Sequence, residues 1–277
     1  MPFTLSHPAA VLPFARALAR RRLLSAVVIG SMVPDFGWFL PWHPARFETH
    51  SADALITFCL PVGLTSYWIF QWLIKEPLIE LLPPGAYARW RELKSAAPVS
   101  SIRQWLLAAA GILFGAITHL IWDAFTHEGA RGVRMLPSLE DPVMQIGARR
   151  LAGAHLLQDV SSLLGLLIVI AILAYGLRPG RPEDALQVRP VKSLERRTWI
   201  VAYLVVAAGL SGLLFLWRRH ASLGIPSMPV SHAAIAILRA AAASLLVIAA
   251  ALYLRLRLRP GEPVTDPPGA SLVDPDG

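Results

Sequence analysis

Residues 105–127 read WLLAAAGILFGAITHLIWDAFTH, and this stretch decides what kind of molecule the chain forms. As a helix rising 1.5 Å per residue it is about 33 Å long, enough to cross a hydrocarbon core of about 30 Å. Inside it Gly111, Gly115, His119, Asp123 and His127 recur every four residues. That spacing draws one slowly drifting stripe along a helix. The two glycines permit a neighbouring helix to come close. His119 and Asp123 stand one turn apart and present a nitrogen and an oxygen in the same direction, the donor types that suit Zn²⁺, Mn²⁺ or Fe²⁺. A His–Asp hydrogen bond sealing a helix pair uses the same spacing, so the pair alone leaves both readings open. Ionisable groups in a span cost roughly 2.5–3.5 kcal/mol each and usually face a protein interior or a wet cavity.

The rest of the chain agrees with a membrane setting. Of 277 residues 55% are hydrophobic and 16% charged, against roughly 25% charged in a soluble domain, and the mean hydropathy is +0.52. This composition argues against a disordered chain, a secreted disulfide scaffold and a soluble α/β enzyme. Stretches 54–74, 105–126, 155–176, 199–217 and 233–254 are each long enough to span. A sixth, 23–40, ends in Pro34 and Asp35, and the helix read over Pro8–Ala19 is too short to span alone. The expected fold is therefore all-α: a polytopic helical membrane bundle of five long spans plus an N-terminal helical hairpin. Residues 1–254 form one membrane-embedded domain, with 1–176 bearing the site and 199–254 supplying two accessory spans. The Pro-, Gly- and Asp-rich tail 255–277 reads as disordered.

The net charge is +8, from 26 basic and 18 acidic residues. No basic run is interleaved with aromatics on a polar face, so the expected partners are membrane lipids and not nucleic acid. Eighteen of the basic residues fall in one set of alternate connectors (16–22, 75–104, 177–198, 255–277) and seven in the other. The positive-inside bias places the first set in the cytoplasm. The Arg20–Arg22 tip of the hairpin is then cytoplasmic. His7, Asp35, His50, His119, Asp123 and His127 all fall at the outer side. Arg16 and Arg20 to Arg22 follow the first apolar stretch and do not precede it, which is the wrong order for a signal peptide. The single cysteine, Cys59, lies in an apolar run and reads as a small buried hydrophobe.

Six potential ligands from four segments at one depth favour a metal site. Other polar residues read less sharply. His155, Gln158, Ser162 and Gly165 share one side of 155–176, with Asp159 adjacent. Ser162 and Gly165 suit helix packing, while Gln158 and Asp159 suit either partners of the His ligands or interfacial positions. Glu48 and Asp53 bracket His50, as a general base or as solvated loop charges. His43, His220 and His232 read as interfacial. No GxSxG elbow, P-loop or GxGxxG is present.

The segments MPFTLSHPAAVLPF, IGSMVPDF, THLIWDAFTH and LLQDVSSLLGL resemble a family of bacterial membrane proteins called domain of unknown function 4184. That family in turn resembles inner-membrane metal-dependent hydrolases, which share an N-terminal His, a Pro-Asp element, a loop His and a helical HxxxD. The resemblance implies His7, Asp35, His50, His119 and Asp123 as metal ligands. Phe36 and Gly37 stand where the related group usually carries further acidic residues, so a second metal is not carried over. The expected function is a metal-dependent hydrolase of the bacterial inner membrane holding a divalent ion, Zn²⁺ first and Mn²⁺ or Fe²⁺ next. Glu48 or His127 would transfer the proton, and the substrate would be a lipid, phosphoester or other amphiphilic ester. The alternatives are an ion or proton pathway and a structural membrane scaffold.

Overall fold

The computed structural model of the chain describes residues 4–20, 22–40, 44–94, 101–146, 149–178, 192–221 and 230–258. The helices are α1 (Ala15–Arg20), α2 (Leu24–Gly30), α3 (Arg46–His50), α4 (Leu55–Glu80), α5 (Pro84–Lys94), α6 (Ile102–Thr126), α7 (Arg131–Met135), α8 (Gly153–Gly176), α9 (Ser193–Ala221) and α10 (Val230–Leu258). Short 3₁₀ segments, Thr4–Ala10 and Val33–Phe39 among them, fill the N-terminal region. Strands β1 (Pro142–Ile146) and β2 (Arg149–Ala152) form an antiparallel hairpin in the connector before α8.

Among the described residues four helices are long and apolar enough to cross a membrane: α4, α6, α8 and α10 from Ile237 onward. The fifth expected span, 199–217, lies inside α9 but is not one of these four among the described residues. α10 continues to Leu258, so the expected tail begins later than residue 255, and 259–277 lie outside the described residues.

The N-terminal hairpin forms with broken arms. Proline supplies no N–H to a helical ladder and clashes with the preceding turn, and Pro8, Pro13 and Pro34 keep much of both arms in 3₁₀ turns. Arg22 closes the tip in the left-handed region at φ 58°. There its N–H reaches the Ala19 carbonyl at 2.9 Å, and the Leu23 N–H reaches that of Leu18 at 2.8 Å. These paired bonds are how a helix end satisfies its last carbonyls.

α4 runs past Pro77 to Glu80 and does not stop at residue 74. Two of its segments, Leu55–Cys59 and Phe70–Ile74, are π-helical, and each lies just upstream of a proline, Pro61 or Pro77. The wider turns re-register the ladder where proline removes a donor.

α6 begins at a capping box: Ser101 Oγ accepts the Gln104 N–H at 3.3 Å, and the Gln104 side chain accepts the Ser101 N–H at 3.4 Å. Its glycine stripe lies against α2. A Cβ on Gly115 would stand 2.2 Å from the Val27 carbonyl, and one on Gly30 would stand 2.2 Å from that of Ile112. The two backbones therefore touch, with no room for side chains. Around this contact Ala26, Ile29, Val33, Cys59, Tyr67, Ala108, Ile112 and Ala116 form the core. On the other side α8 rests on Thr4–Ala10, with Gly165 against Ser6. α10 packs on α4 and reaches Val33–Phe39, where Arg239 Nε donates to the Trp38 carbonyl at 2.5 Å.

Candidate functional site

The core contact sets the site. One turn beyond Gly115, α6 carries His119, and two turns beyond, Asp123. Both are buried. The close approach of α2 brings the Ser31 carbonyl to 2.8 Å from His119 Nδ1. A carbonyl only accepts, so Nδ1 carries the proton and Nε2 is left with a free lone pair. The segment Val33–Phe39 then turns Asp35 inward. Thr4 Oγ1 donates to Asp35 Oδ2 at 2.8 Å, leaving Oδ1 facing the histidines. α3 supplies His50 from outside. Thr49 Oγ1 donates to the Arg46 carbonyl at 3.2 Å and lies 2.6 Å from His50 Nδ1. With its own proton spent, that hydroxyl accepts from Nδ1–H, and His50 Nε2 is also left as an acceptor. His7 enters from Thr4–Ala10 and stacks on His119 with ring centroids 3.7 Å apart.

The five side chains meet at one place. His50 Nε2 is 3.4 Å from Asp35 Oδ1 and 3.6 Å from Asp123 Oδ2. His119 Nε2 is 3.8 Å from Asp35 Oδ1 and 3.6 Å from Asp123 Oδ2. His7 Nε2 is 3.8 Å from Asp123 Oδ1. Both nitrogens of His7, Nε2 of His50 and His119, and Oδ1 of Asp123 are buried without a hydrogen-bond partner. Unpartnered buried polar atoms are rare and costly. Here their mutual distances carry the information. Ligands bound at about 2.0–2.2 Å around a tetrahedral ion stand about 3.3–3.6 Å from one another. Two overlapping triads, His7–His119–Asp123 and Asp35–His50–His119, each offer ligand atoms within 4.8 Å of one another. The donor set and its spacing thus fit a divalent cation.

Burial, with His119 adding, holds the His7 imidazole down to about 3, so it is neutral at ordinary pH. A neutral imidazole is the form that binds metal. His127, just past the end of α6, lies at the margin of the cluster. Its Nδ1 is 3.2 Å from the Asp123 carbonyl and 3.6 Å from Asp123 Oδ1. Its Nε2 is buried and unpartnered. Burial, helped by Arg46 and opposed by Asp123, holds His127 below its ordinary value.

Other candidates stand elsewhere. Glu48 is two residues from both Arg46 and His50, about 200° around the helix. It accepts the Ala45 N–H at 2.6 Å and lines an open pocket with Pro44, Phe47, Ser51, Asp53, Thr57 and Phe58. His155 pairs loosely with Glu128 at 3.8 Å. Gln158 is buried while Asp159 is exposed, and the Ser162 hydroxyl is buried without a partner. His43 lies outside the described residues, as do the side chains of His220 and His232.

Sequence reasoning missed Arg46. Its Nη2 donates to Asp123 Oδ2 at 2.7 Å, while its side chain is 42% exposed. Counted only as a loop charge, it in fact precedes His50 by four residues on a helix, a spacing that places both on one face. Thr4, Ser31 and Thr49, which orient the cluster, carried no signal of their own.

A bundle of apolar helices enclosing a buried His/Asp centre defines the class, an all-helical membrane protein with a polar core site. The chain belongs to the family described as Domain of unknown function (DUF4184), whose match spans residues 1–253. No curated protein and no solved structure matches it.

Proposed function

We propose that the protein is a metal-dependent hydrolase of the bacterial inner membrane, with its site on the outer face. The observation that carries this reading is the set of unpartnered, buried ligand atoms of His7, His50, His119 and Asp123, which with Asp35 form two overlapping triads of ligand atoms within 4.8 Å of one another. Ligands drawn from those five residues would hold the ion, Zn²⁺ first by donor type, with one position left for water. A bound divalent ion supplies a Lewis acid that lowers the pKa of water to about 7 and polarises an acyl or phosphoryl oxygen.

The chain's own groups do the rest. Ser31 and Thr49 fix the two tautomers that aim His119 and His50 inward. His127 is the nearer proton carrier, because its Nδ1 is engaged by the Asp123 carbonyl and its Nε2 stays free. Glu48, the alternative carrier, lines the open pocket about 200° around α3 from His50 and is the weaker candidate. The apolar helix surfaces around the cluster favour a lipid or other amphiphilic ester as substrate. An ion pathway is favoured less. It needs polar groups through the full thickness, whereas the other half of α6 presents Ala108, Gly111 and Ile112 to α2 and the core.

Elemental analysis of detergent-purified protein tests the reading, paired with hydrolysis assays on ester and phosphoester panels before and after chelation. About one equivalent of metal is expected, lost in His119→Ala and Asp123→Ala, with chelator-sensitive hydrolysis in the wild type. Metal absent from the wild type, or unchanged in both variants, sinks the proposal.

A further inference from the structure

Among the described residues, Arg46 is a full charge in contact with the cluster that the metal reading does not use. Resting on that reading, we propose that Arg46 anchors the substrate through a phosphoryl group, which makes the substrate a phosphoester and not a carboxylic ester.

Three observations lead there. The first is charge. The guanidinium of Arg46 brings a full positive charge to the edge of the cluster, 2.7 Å from Asp123 Oδ2. An anionic ligand balances it, whereas a neutral carboxylic ester does not. The second is position. Arg46 Nη2 is 2.7 Å from Asp123 Oδ2, and that oxygen is 3.6 Å from both His50 Nε2 and His119 Nε2. A group touching the ion is therefore within reach of the guanidinium. The third is geometry. The guanidinium has five N–H donors in a planar fork, and Asp123 is its one hydrogen-bond partner among the described residues. The side chain is 42% exposed on one side and touches a carboxylate that is 5% exposed on the other. It bridges the buried centre and the medium outside it. Such a fork matches the paired oxygens of a phosphoryl group. Glu48, which lines the neighbouring pocket with Asp53, stands about 200° around α3 from Arg46.

Hydrolysis of such an ester breaks one P–O bond and forms another to the water oxygen. The water's proton passes to the leaving alkoxide, and phosphate and alcohol are the products.

The test uses the full chain in detergent, loaded with zinc and freed of excess. Inorganic phosphate is titrated calorimetrically into wild type, Arg46→Gln and Arg46→Lys, with zinc content measured on each sample. Phosphate should bind the wild type and bind Arg46→Gln at least about tenfold more weakly at equal zinc content. Arg46→Lys, which keeps the charge and loses the fork, should fall between them. It carries the comparison if Arg46→Gln does not fold. In a second arm phosphatidic acid or the neutral ester diacylglycerol, in lipid nanodiscs, competes with phosphate. Displacement by phosphatidic acid identifies a lipid headgroup as the source, and its failure to compete identifies a water-soluble phosphoester. Diacylglycerol should not displace phosphate. Equal phosphate affinity in the variants and wild type, or displacement by diacylglycerol, overturns the proposal while leaving the metal centre standing. A wild type without zinc overturns both.

Discussion

Replacing Gly115 by alanine should damage the site although Gly115 touches none of its ligands. A Cβ there would lie 2.2 Å from the Val27 carbonyl oxygen, 2.6 Å from the Ser31 nitrogen and 2.8 Å from the Gly30 carbonyl carbon. All three are backbone atoms and cannot rotate away. Carbon–oxygen contacts settle at about 3.3 Å or more, so α2 and α6 must separate by about 1 Å. Overpacking of this kind costs about 1–3 kcal/mol, and the upper end is expected where both sides are main chain. The same movement carries the Ser31 carbonyl from 2.8 Å to nearly 4 Å from His119 Nδ1, beyond hydrogen-bonding range. Losing the partner that orients a ligating histidine lowers metal affinity about 10–100-fold. Thermal unfolding in detergent and zinc retention against a competing chelator read the two effects separately. Gly209→Ala and Gly212→Ala are the controls, since a Cβ at either meets nothing within 4 Å. They should be neutral or stabilising by up to about 1 kcal/mol. A Gly115→Ala protein that melts with these controls and keeps its metal would refute the claim that backbone contact positions His119.

Thr49→Val removes the hydroxyl that accepts from His50 Nδ1 and should weaken metal binding about 10–100-fold, with a modest effect on melting; unchanged zinc affinity would show that the His50 tautomer is fixed otherwise. The His7 contribution to stability is read as the difference between metal-free wild type and metal-free His7→Gln. The folded value of His7 lies near 3 and its unfolded value near 6.5, so between those pH values the unfolded chain binds the extra proton and this contribution rises with pH. The difference in melting temperature should be level above about pH 6.5 and shift against the wild type on acidification below it; a difference that moves in favour of the wild type towards pH 5 would show that His7 takes up a proton in the fold.

Much of this was legible because α6 wrote it in one period. Glycines and ligands spaced by four residues must share a face whatever packs against them. Asp35 and His50 followed from topology, which put their segments at the same end as His119. What escaped depended on partners distant in sequence. Nothing in GSMVPDF shows that α2 touches α6 backbone to backbone, because that requires Gly30 and Gly115 to meet. The stretch 23–40 showed its end at Pro34 and Asp35, but not that the chain there turns as a 3₁₀ segment that aims Asp35. Pro77 misleads, because a π-helical segment absorbs the proline and the span continues. The β1–β2 hairpin was read only as polar connector, its strands being too short to show an alternation.

The order of the ligands along the chain has a consequence for how the protein is made. His7, Asp35 and His50 are synthesised before α4, and His119 and Asp123 only after α4 and α5 have been built. The cluster therefore cannot close until two crossings have entered the bilayer and α6 has docked on α2. On the proposed reading, an ion held by side chains from both halves would bind only after that docking, so metal content would count chains that have assembled and not merely chains that have reached the membrane.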